Sequence, residues 1–276
     1  MTHPVLTAGR VAVVTGAAMG IGLAACKRFA ALGMRVAMAD VLADELRSGR
    51  DEIAKLAPGG ARDVLAWPAD VARAEDVAAL KQAVYAAFGE VELLMNNAAT
   101  RVGGGALARL EDWQAALGVN FWGVVHGVRA FVPRMIEQGA PGLVVNTGSK
   151  QGITNPPGNL AYNVTKSALK TYTEGLQHEL RNTEGCRITA HLLVPGWTTT
   201  GKKEHKPGAW LPEQVIDLML AGLERGDFYI VCPDDEVTPE MDKKRILWSA
   251  GDITENRPPL SRWHPDYAGK FMAFSE

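Results

Sequence analysis

The chain of 276 residues has a formal net charge of -2, from 29 basic and 31 acidic side chains with no block of either sign, so electrostatics give no grounds for binding nucleic acid or an anionic membrane. Its three cysteines, Cys26, Cys186 and Cys232, are odd in number and far apart, and its six histidines show no His-x-x-x-His spacing. Neither a disulfide framework, a Cys-x-x-Cys centre nor a metal site is expected. No apolar stretch is read as reaching the roughly 18 to 20 residues that span a bilayer, and Met-Thr-His-Pro at the start lacks a charged-then-apolar signal pattern. A soluble, unexported, cytoplasmic protein with a small-molecule partner is expected.

The first apolar run, Val11 to Val14, passes into Thr15-Gly16-Ala17-Ala18-Met19-Gly20-Ile21-Gly22. Glycines there allow a tight turn and close backbone approach to a pyrophosphate, whose charge faces the positive end of the next helix; Gly16, Met19, Gly20, Ile21 and Gly22 are read as the cofactor turn. The Gly-x-x-x-Gly-x-Gly spacing differs from the commoner Gly-x-Gly-x-x-Gly, and alone it is weak evidence. Ile21, Ala25, Phe29 and Leu32 recur at helical spacing, with Gly33 as a cap, so the crossover helix is amphipathic. Val36 to Ala39 predicts a second strand ending at Asp40, whose carboxylate can accept hydrogen bonds from the adenosine ribose hydroxyls. A 2′-phosphate there would meet like charge, costing on the order of several kcal/mol at an effective dielectric of about 20. No Lys or Arg in the turn or beside Asp40 offsets it, so NAD is favoured over NADP. Helix capping is the other reading of Asp40.

Val64 to Ala66 is followed by Asp70-Val71, which could hold the adenine edge; capping alone also accounts for Asp70. Leu93 to Met95 leads into Asn96-Asn97-Ala98-Ala99, where buried amides can tie strand ends together and Asn97 and Ala98 leave a small-residue surface for a ribose. Asn120 lies in a helical stretch bounded by Gly118 and Gly123, where an irregular turn could free a carbonyl for water; packing is its other reading. Leu143 to Val145 precedes Ser149, and Ile188 to Val194 precedes Pro195-Gly196-Trp197-Thr198. Phe228 to Val231 is the last strand. Tyr162 and Lys166, four apart on a predicted helix, share one face. These runs lack polar alternation and are joined by helix-length connections, which predicts a doubly wound α/β Rossmann-type fold with a seven-stranded parallel sheet. One domain over 1–276 is expected, with a core of about 9–231 and an extension of about 233–276 that is charged and carries Trp248 and Trp263.

With these motifs the chain resembles the short-chain dehydrogenase/reductase family over roughly Gly9 to Val231. Thr15 to Gly22 matches its Thr-Gly-x-x-x-Gly-x-Gly pattern and Tyr162 to Lys166 its Tyr-x-x-x-Lys pattern. Ser149 matches its serine, Asn120 its helix asparagine, and Pro195-Gly196 the turn flanking the nicotinamide. Ala99 departs from the usual Asn-Asn-Ala-Gly. The resemblance implies that Lys166 hydrogen-bonds the nicotinamide ribose, that a water held at Asn120 links Lys166 to solvent, and that Thr198 contacts the carboxamide, with Thr199 and Thr200 as alternatives. It also implies a homotetramer, or at least a homodimer, paired through the helices bearing Asn120 and Tyr162.

In chemical terms Tyr162 is expected to exchange a proton with an alcohol or ketone while the nicotinamide exchanges hydride. Lowering a phenol from about 10 by about two units needs roughly 2.7 kcal/mol, expected from Lys166 and the positive nicotinamide. Ser149 can donate to the substrate oxygen, or merely cap a strand end. The expected activity is NAD-dependent interconversion of a secondary alcohol and its ketone. The alternative is a dinucleotide sensor without turnover, against which the set Asn120, Ser149, Tyr162 and Lys166 argues. A hydrolase is disfavoured because Ser149 lacks Gly-x-Ser-x-Gly. Residues 197 to 212 match the family's mobile substrate lid, and Trp197, Trp210, Lys202, Lys203, His205 and Lys206 there suggest a bulky substrate, aromatic or anionic.

Overall fold

The computed structural model describes residues 3–200 and 204–275. Strands β1 (Val11–Thr15), β2 (Arg35–Asp40), β3 (Val64–Pro68), β4 (Leu93–Asn96), β5 (Gly142–Thr147), β6 (Ile188–Val194) and β7 (Tyr229–Val231) form one parallel sheet of seven strands, ordered β3-β2-β1-β4-β5-β6-β7. Val13 pairs with Ala37 on one side and with Leu94 on the other. The central strands β1, β4 and β5 are buried throughout, which is why they read as unbroken apolar runs. The edge strands β3 and β7 keep exposed positions.

In chain order the helices are α1 (Gly20–Ala31), α2 (Ala43–Ala54), α3 (Ala74–Phe88), α4 (Leu110–Leu117), α5 (Gly123–Glu137), α6 (Gln151–Thr154), α7 (Leu160–Asn182), α8 (Pro212–Arg225), α9 (Pro239–Thr254) and α10 (Ala268–Ala273). Alternate residues of β1 feed two different cores. Ala12 and Val14 meet Phe29 of α1, Leu46 and Ile53 of α2, and Met219 of α8. Val11 and Val13 meet Leu80 of α3, Phe131 of α5 and Leu176 of α7. A fully buried Leu, Ile or Phe contributes about 1.5–3 kcal/mol, so both layers are held to the sheet. Strand order reverses between β1 and β4, which opens a crevice beyond the strands' carboxyl ends, where ligands of such sheets bind.

One expectation needs correction. A π-helical turn, Gly118–Trp122, joins α4 to α5, and the resulting run Leu110–Glu137 is 28 residues long with mean hydropathy 1.2 over its most apolar window, enough by length and composition to cross a membrane. Its apolar side chains Val124, Val128, Phe131, Val132 and Met135 are buried against the sheet, which accounts for that composition. The C-terminal tryptophans of the extension take different places. Trp248 centres a cluster within the extension itself, with Phe271 and Phe274 edge-on at 5.5 and 5.4 Å, Arg257 over its ring at 4.0 Å and Ser261 accepting from Nε1 at 2.8 Å. Trp263 is partly exposed beside Arg262.

Candidate active site

Every residue predicted for catalysis or cofactor binding lies among the described residues, and the strand ends bring most of them to one edge of the sheet. Thr15 ends β1 and holds β4 beside it: Oγ1 accepts from the N–H groups of Asn97 and Ala98 at 3.0 and 3.2 Å. The Asn97 amide donates back to Thr15 O at 3.1 Å and Gly16 O at 3.2 Å. Asn96 donates to Asn146 Oδ1 of β5 at 2.9 Å, and Asn146 to Thr173 Oγ1 of α7 at 3.0 Å, so buried amides do tie the strand ends.

The glycine turn has no room for side chains. Gly16 and Gly20 have φ of 64° and 57°, and a Cβ on Gly22 would lie 2.1 Å from Gly16 O. Met19 precedes α1 without a side-chain cap, and the helix's first turn has no acid. The Ala17 and Ala18 N–H groups are taken by Ala39 O and Asp40, while the uncapped start of α1 leaves its first N–H groups and positive end for an outside anion, and the residues fit the pyrophosphate of a dinucleotide. Asp40 Oδ2 accepts from Ala18 N at 3.0 Å and Oδ1 from Leu42 N at 3.1 Å. Asp40 thereby ties the glycine turn to the turn before α2 without capping that helix, and each oxygen keeps a lone pair for a ribose hydroxyl. Asp70 closes its own turn ahead of α3, with Oδ1 accepting from Ala72 N at 2.9 Å, and Val71 O meets His126 Nδ1 at 2.9 Å.

Asn159, three residues ahead of Tyr162, caps α7 by accepting from Tyr162 N at 3.2 Å. Ser149 bears on the Tyr162 hydroxyl and favours its ionised form. Ser149 Oγ also accepts from Gln151 N at 3.2 Å, so its capping role is real as well. Lys166 is 2% exposed, and its Nζ donates to Thr147 O at 2.7 Å while standing 5.7 Å from the Tyr162 ring centroid. Burial pulls Lys166 down to about 8.

Burial raises Tyr162 above the usual tyrosine value, while Ser149 and the Arg101 charge hold it back. Lys166, whose Nζ keeps donors beyond the one given to Thr147 O, is itself weakened by desolvation.

Asn120 is fully buried in the π-helical turn. Its Oδ1 accepts from Thr100 N at 2.7 Å, and its Nδ2 donates to Thr100 O at 3.0 Å and Thr165 Oγ1 at 3.2 Å. The side chain therefore anchors the loop after β4. The irregularity expected near Gly118 is this π turn, which interrupts the regular hydrogen-bond ladder.

Beyond β6, Pro195 and Thr198 are buried and Gly196 is partly buried. Thr198 Oγ1 donates to Gly196 O at 3.3 Å. Trp210 pairs with this segment, its N–H donating to Trp197 O and its carbonyl accepting from Thr199 N, both at 2.9 Å. Trp210 Nε1 donates to Asp235 at 3.1 Å, so Trp210 braces the segment, whereas Trp197 is 38% exposed. Lys202 and Lys203 lie outside the described residues. A Cβ on Gly20 would lie 3.1 Å from Thr200 Cβ, so the segment reaches across to the glycine turn. Sequence reasoning missed Arg101, Lys150, Asn159 and Asp234. The signal for Asn159 was present, a capping residue three before Tyr162 at the start of a helical pattern.

Comparison with known proteins agrees with this geometry. A short chain dehydrogenase family model matches residues 10–208. The chain is 37% identical over 271 residues to the 1-deoxy-11-beta-hydroxypentalenate dehydrogenase of Streptomyces exfoliatus, covering 92% of this chain and 94% of that one. It is 37% identical over 173 residues to the oxidoreductase SadH of Mycobacterium tuberculosis, covering 62% of this chain and 61% of the relative, so the match spans less than two thirds of that relative's length. A Burkholderia phymatum short chain dehydrogenase/reductase in complex with NAD superposes with TM-score 0.82 at 32% identity, over 91% of this chain and 96% of its own. A metagenomic short-chain oxidoreductase in complex with NADP gives TM-score 0.69 at 28% identity, over 82% and 98%. With the family model running from β1 past the Pro195-Gly196 turn and one relative matched nearly end to end, the chain belongs to the short-chain dehydrogenase family.

Proposed function

We propose that this chain is an NAD-dependent oxidoreductase that interconverts a secondary alcohol and its ketone. The observation that carries the reading is a buried Lys166 whose Nζ stands 5.7 Å from the Tyr162 ring centroid, with Ser149 bearing on the same phenol, at the same sheet edge as a glycine turn built for an anion. Gly16, Met19, Gly20, Ile21 and Gly22 would hold the pyrophosphate, Asp40 the adenosine ribose, Asp70 and Val71 the adenine edge, and Asn97 and Ala98 the surface beside them. Pro195, Gly196 and Thr198 would flank the nicotinamide, with Tyr162 and Lys166 near its ribose. When bound, the dinucleotide supplies the hydride acceptor or donor.

The chain's own residues move the proton. Ser149 donates to the substrate oxygen and orients it, and Tyr162 takes the hydroxyl proton during oxidation or returns it during reduction. The desolvated Lys166 sits where its charge steadies a developing phenolate, and Asn120 holds the turn from which a water connects it to solvent. NAD is favoured because the Asp40 carboxylate repels a 2′-phosphate. Exposed Trp197 offers an aromatic wall to the substrate, which supports a bulky and aromatic alcohol. The extension from Pro233 belongs to the same folding unit in this reading, because α9 packs on α6 beside Ser149.

Absorbance of the reduced nicotinamide, followed with matched aryl and aliphatic secondary alcohols and with NAD or NADP, tests the proposal. Wild type should turn over secondary alcohols with NAD, and Tyr162→Phe should lose at least about 10³-fold in kcat while binding NAD within a few-fold. Full activity in Tyr162→Phe would remove the phenol as the acid–base group. NAD binding without turnover of any alcohol or ketone would favour the sensor reading.

A further inference from the structure

Lys150, the residue after Ser149, joins three parts of the molecule. Its N–H donates to Pro195 O at 3.4 Å, and its carbonyl accepts from Ile153 N and Thr154 N at 3.1 Å as α6 begins. Its Nζ stands 2.6 Å from Asp242 Oδ2 on α9 and 3.5 Å from Asp234 Oδ2 just past β7, with side-chain exposures of 15% for Lys150, 9% for Asp242 and 4% for Asp234. The contact with Asp242 is ionic, since neither Nζ nor Oδ2 makes a directed hydrogen bond. Asp234 in turn accepts from Trp197 N at 3.0 Å and Glu236 N at 3.1 Å. These groups converge on Gly196, where a Cβ would lie 2.6 Å from Asp234 Oδ2 and 3.0 Å from Lys150 Nζ. The charges thus press on the Pro195-Gly196 turn at backbone distance.

Such a cluster is an expensive way to gain stability. Desolvating an ion costs several kcal/mol even when it is paired, and apolar replacements of a buried pair are often as stable or more so. What a cluster of this kind supplies is geometry. Burial pushes the Asp242 carboxyl up, and Lys150 pulls it back down. Lys150 sits on the turn after β5 that carries Ser149, whereas Asp234 and Asp242 both belong to the extension, Asp234 reaching the Pro195–Trp197 turn through Trp197 N.

We propose that Lys150, Asp234 and Asp242 form a buried ionic clamp through which the C-terminal extension positions Ser149 and the Pro195–Trp197 turn. They are positioning residues, and their catalytic consequence rests on the oxidoreductase reading above. Removing the Asp242 charge leaves Lys150 only its longer contact with Asp234, freeing the α6 turn to shift relative to Tyr162. The glycine turn and Asp40, which would hold most of the dinucleotide, share none of these contacts, so dinucleotide affinity should fall by no more than about threefold.

The test uses the full chain with Asp242→Asn, which keeps the shape, Asp242→Glu, which keeps the charge, and the paired charge-free variant Lys150→Met/Asp242→Leu. The first arm is amide hydrogen exchange without substrate. Asp242→Asn should speed exchange by about tenfold or more at residues 150–154 and 197–199 and leave the glycine turn unchanged. Change confined to α9, or none, would overturn the clamp, and this arm stands even if no alcohol is turned over.

The second arm is steady-state kinetics with thermal unfolding. Asp242→Asn should lower kcat by about 10- to 100-fold with NAD Kd within about threefold, and Asp242→Glu should recover most of kcat. The charge-free pair should unfold no earlier than wild type yet keep the kcat loss. Recovery of kcat by that pair would show that the cluster only stabilises the fold, and wild-type kcat in Asp242→Asn would end the proposal outright.

Discussion

Tyr162 shows how far a motif carries at the level of a single residue. Its position beside Ser149 and Lys166 was legible because helical spacing fixes which side chains share a face. The direction of its titration was not, because that depends on burial and on charges brought in by other elements. Arg101 is one of these. Thr100 just before it is held at both N–H and C=O by Asn120, and Arg101 O accepts from Asn159 Nδ2 at 3.2 Å, so the loop is pinned to the N-terminus of Tyr162's helix. The Arg101 charge lowers a phenol that burial raises. Alcohol oxidation needs the phenolate, so its rate climbs as pH rises through the Tyr162 pKa, and losing a nearby cation moves that climb to higher pH. Arg101→Ala should therefore shift the limb upward and slow oxidation at neutral pH by about two- to fivefold, while Arg101→Lys should shift it less. Because Arg101 is exposed, added salt should move the wild-type limb the same way. A pH–rate profile for kcat that is identical in wild type and Arg101→Ala would remove Arg101 from the electrostatics of the site.

At the scale of elements, the strands were legible in proportion to their burial. The buried central strands stand out as apolar runs, while β7 begins one residue later than expected, at Tyr229. The tip of β2 combines what could and could not be read. Asp40 was recognisable from its distance past the glycines, but its grip on Ala18 N required the fold to bring the two together. Ala18 is 5% exposed, so removing the carboxylate leaves a buried N–H without its partner, at a cost of about 1–3 kcal/mol. Asp40→Ala should thus lower stability by that amount, weaken NAD binding, and cut the NAD-to-NADP ratio of kcat/KM by about tenfold or more as like-charge repulsion disappears. Asp40→Asn keeps a side-chain acceptor and loses the charge, so it should narrow the ratio with less destabilisation. Equal use of both dinucleotides by wild type would contradict the role given to Asp40.

For the whole molecule, the undetected feature was the coupling of the extension to the site, because Lys150, Asp234 and Asp242 are remote from one another along the chain and no local pattern links them. The expected subunit contact is the complementary case, in which a run was visible but its two uses were not separable. Of Phe121-Trp122-Gly123-Val124-Val125, the core takes Val124, while Trp122 is left 51% exposed. Phe121 bridges them, edge-on to Trp122 at 5.5 Å and to Tyr172 at 6.0 Å. The loop before α4 and the start of α4 also expose Val102, Leu107 and Leu110, and the start of α7 exposes Leu160 and Val164. Apolar side chains on the elements carrying Asn120 and Tyr162 favour association, and a stable dimer needs about 800 Å² per partner. A C2 contact would bring Trp122 of each copy into one self-complementary patch. Light scattering at micromolar concentration should return two or four times the chain mass, and Trp122→Glu, which places a charge in that patch at no cost to the core, should shift it toward the monomer with its unfolding temperature little changed when measured as a monomer. A monomeric mass for wild type would defeat the assembly, and an unchanged oligomer in Trp122→Glu would move the contact off this face.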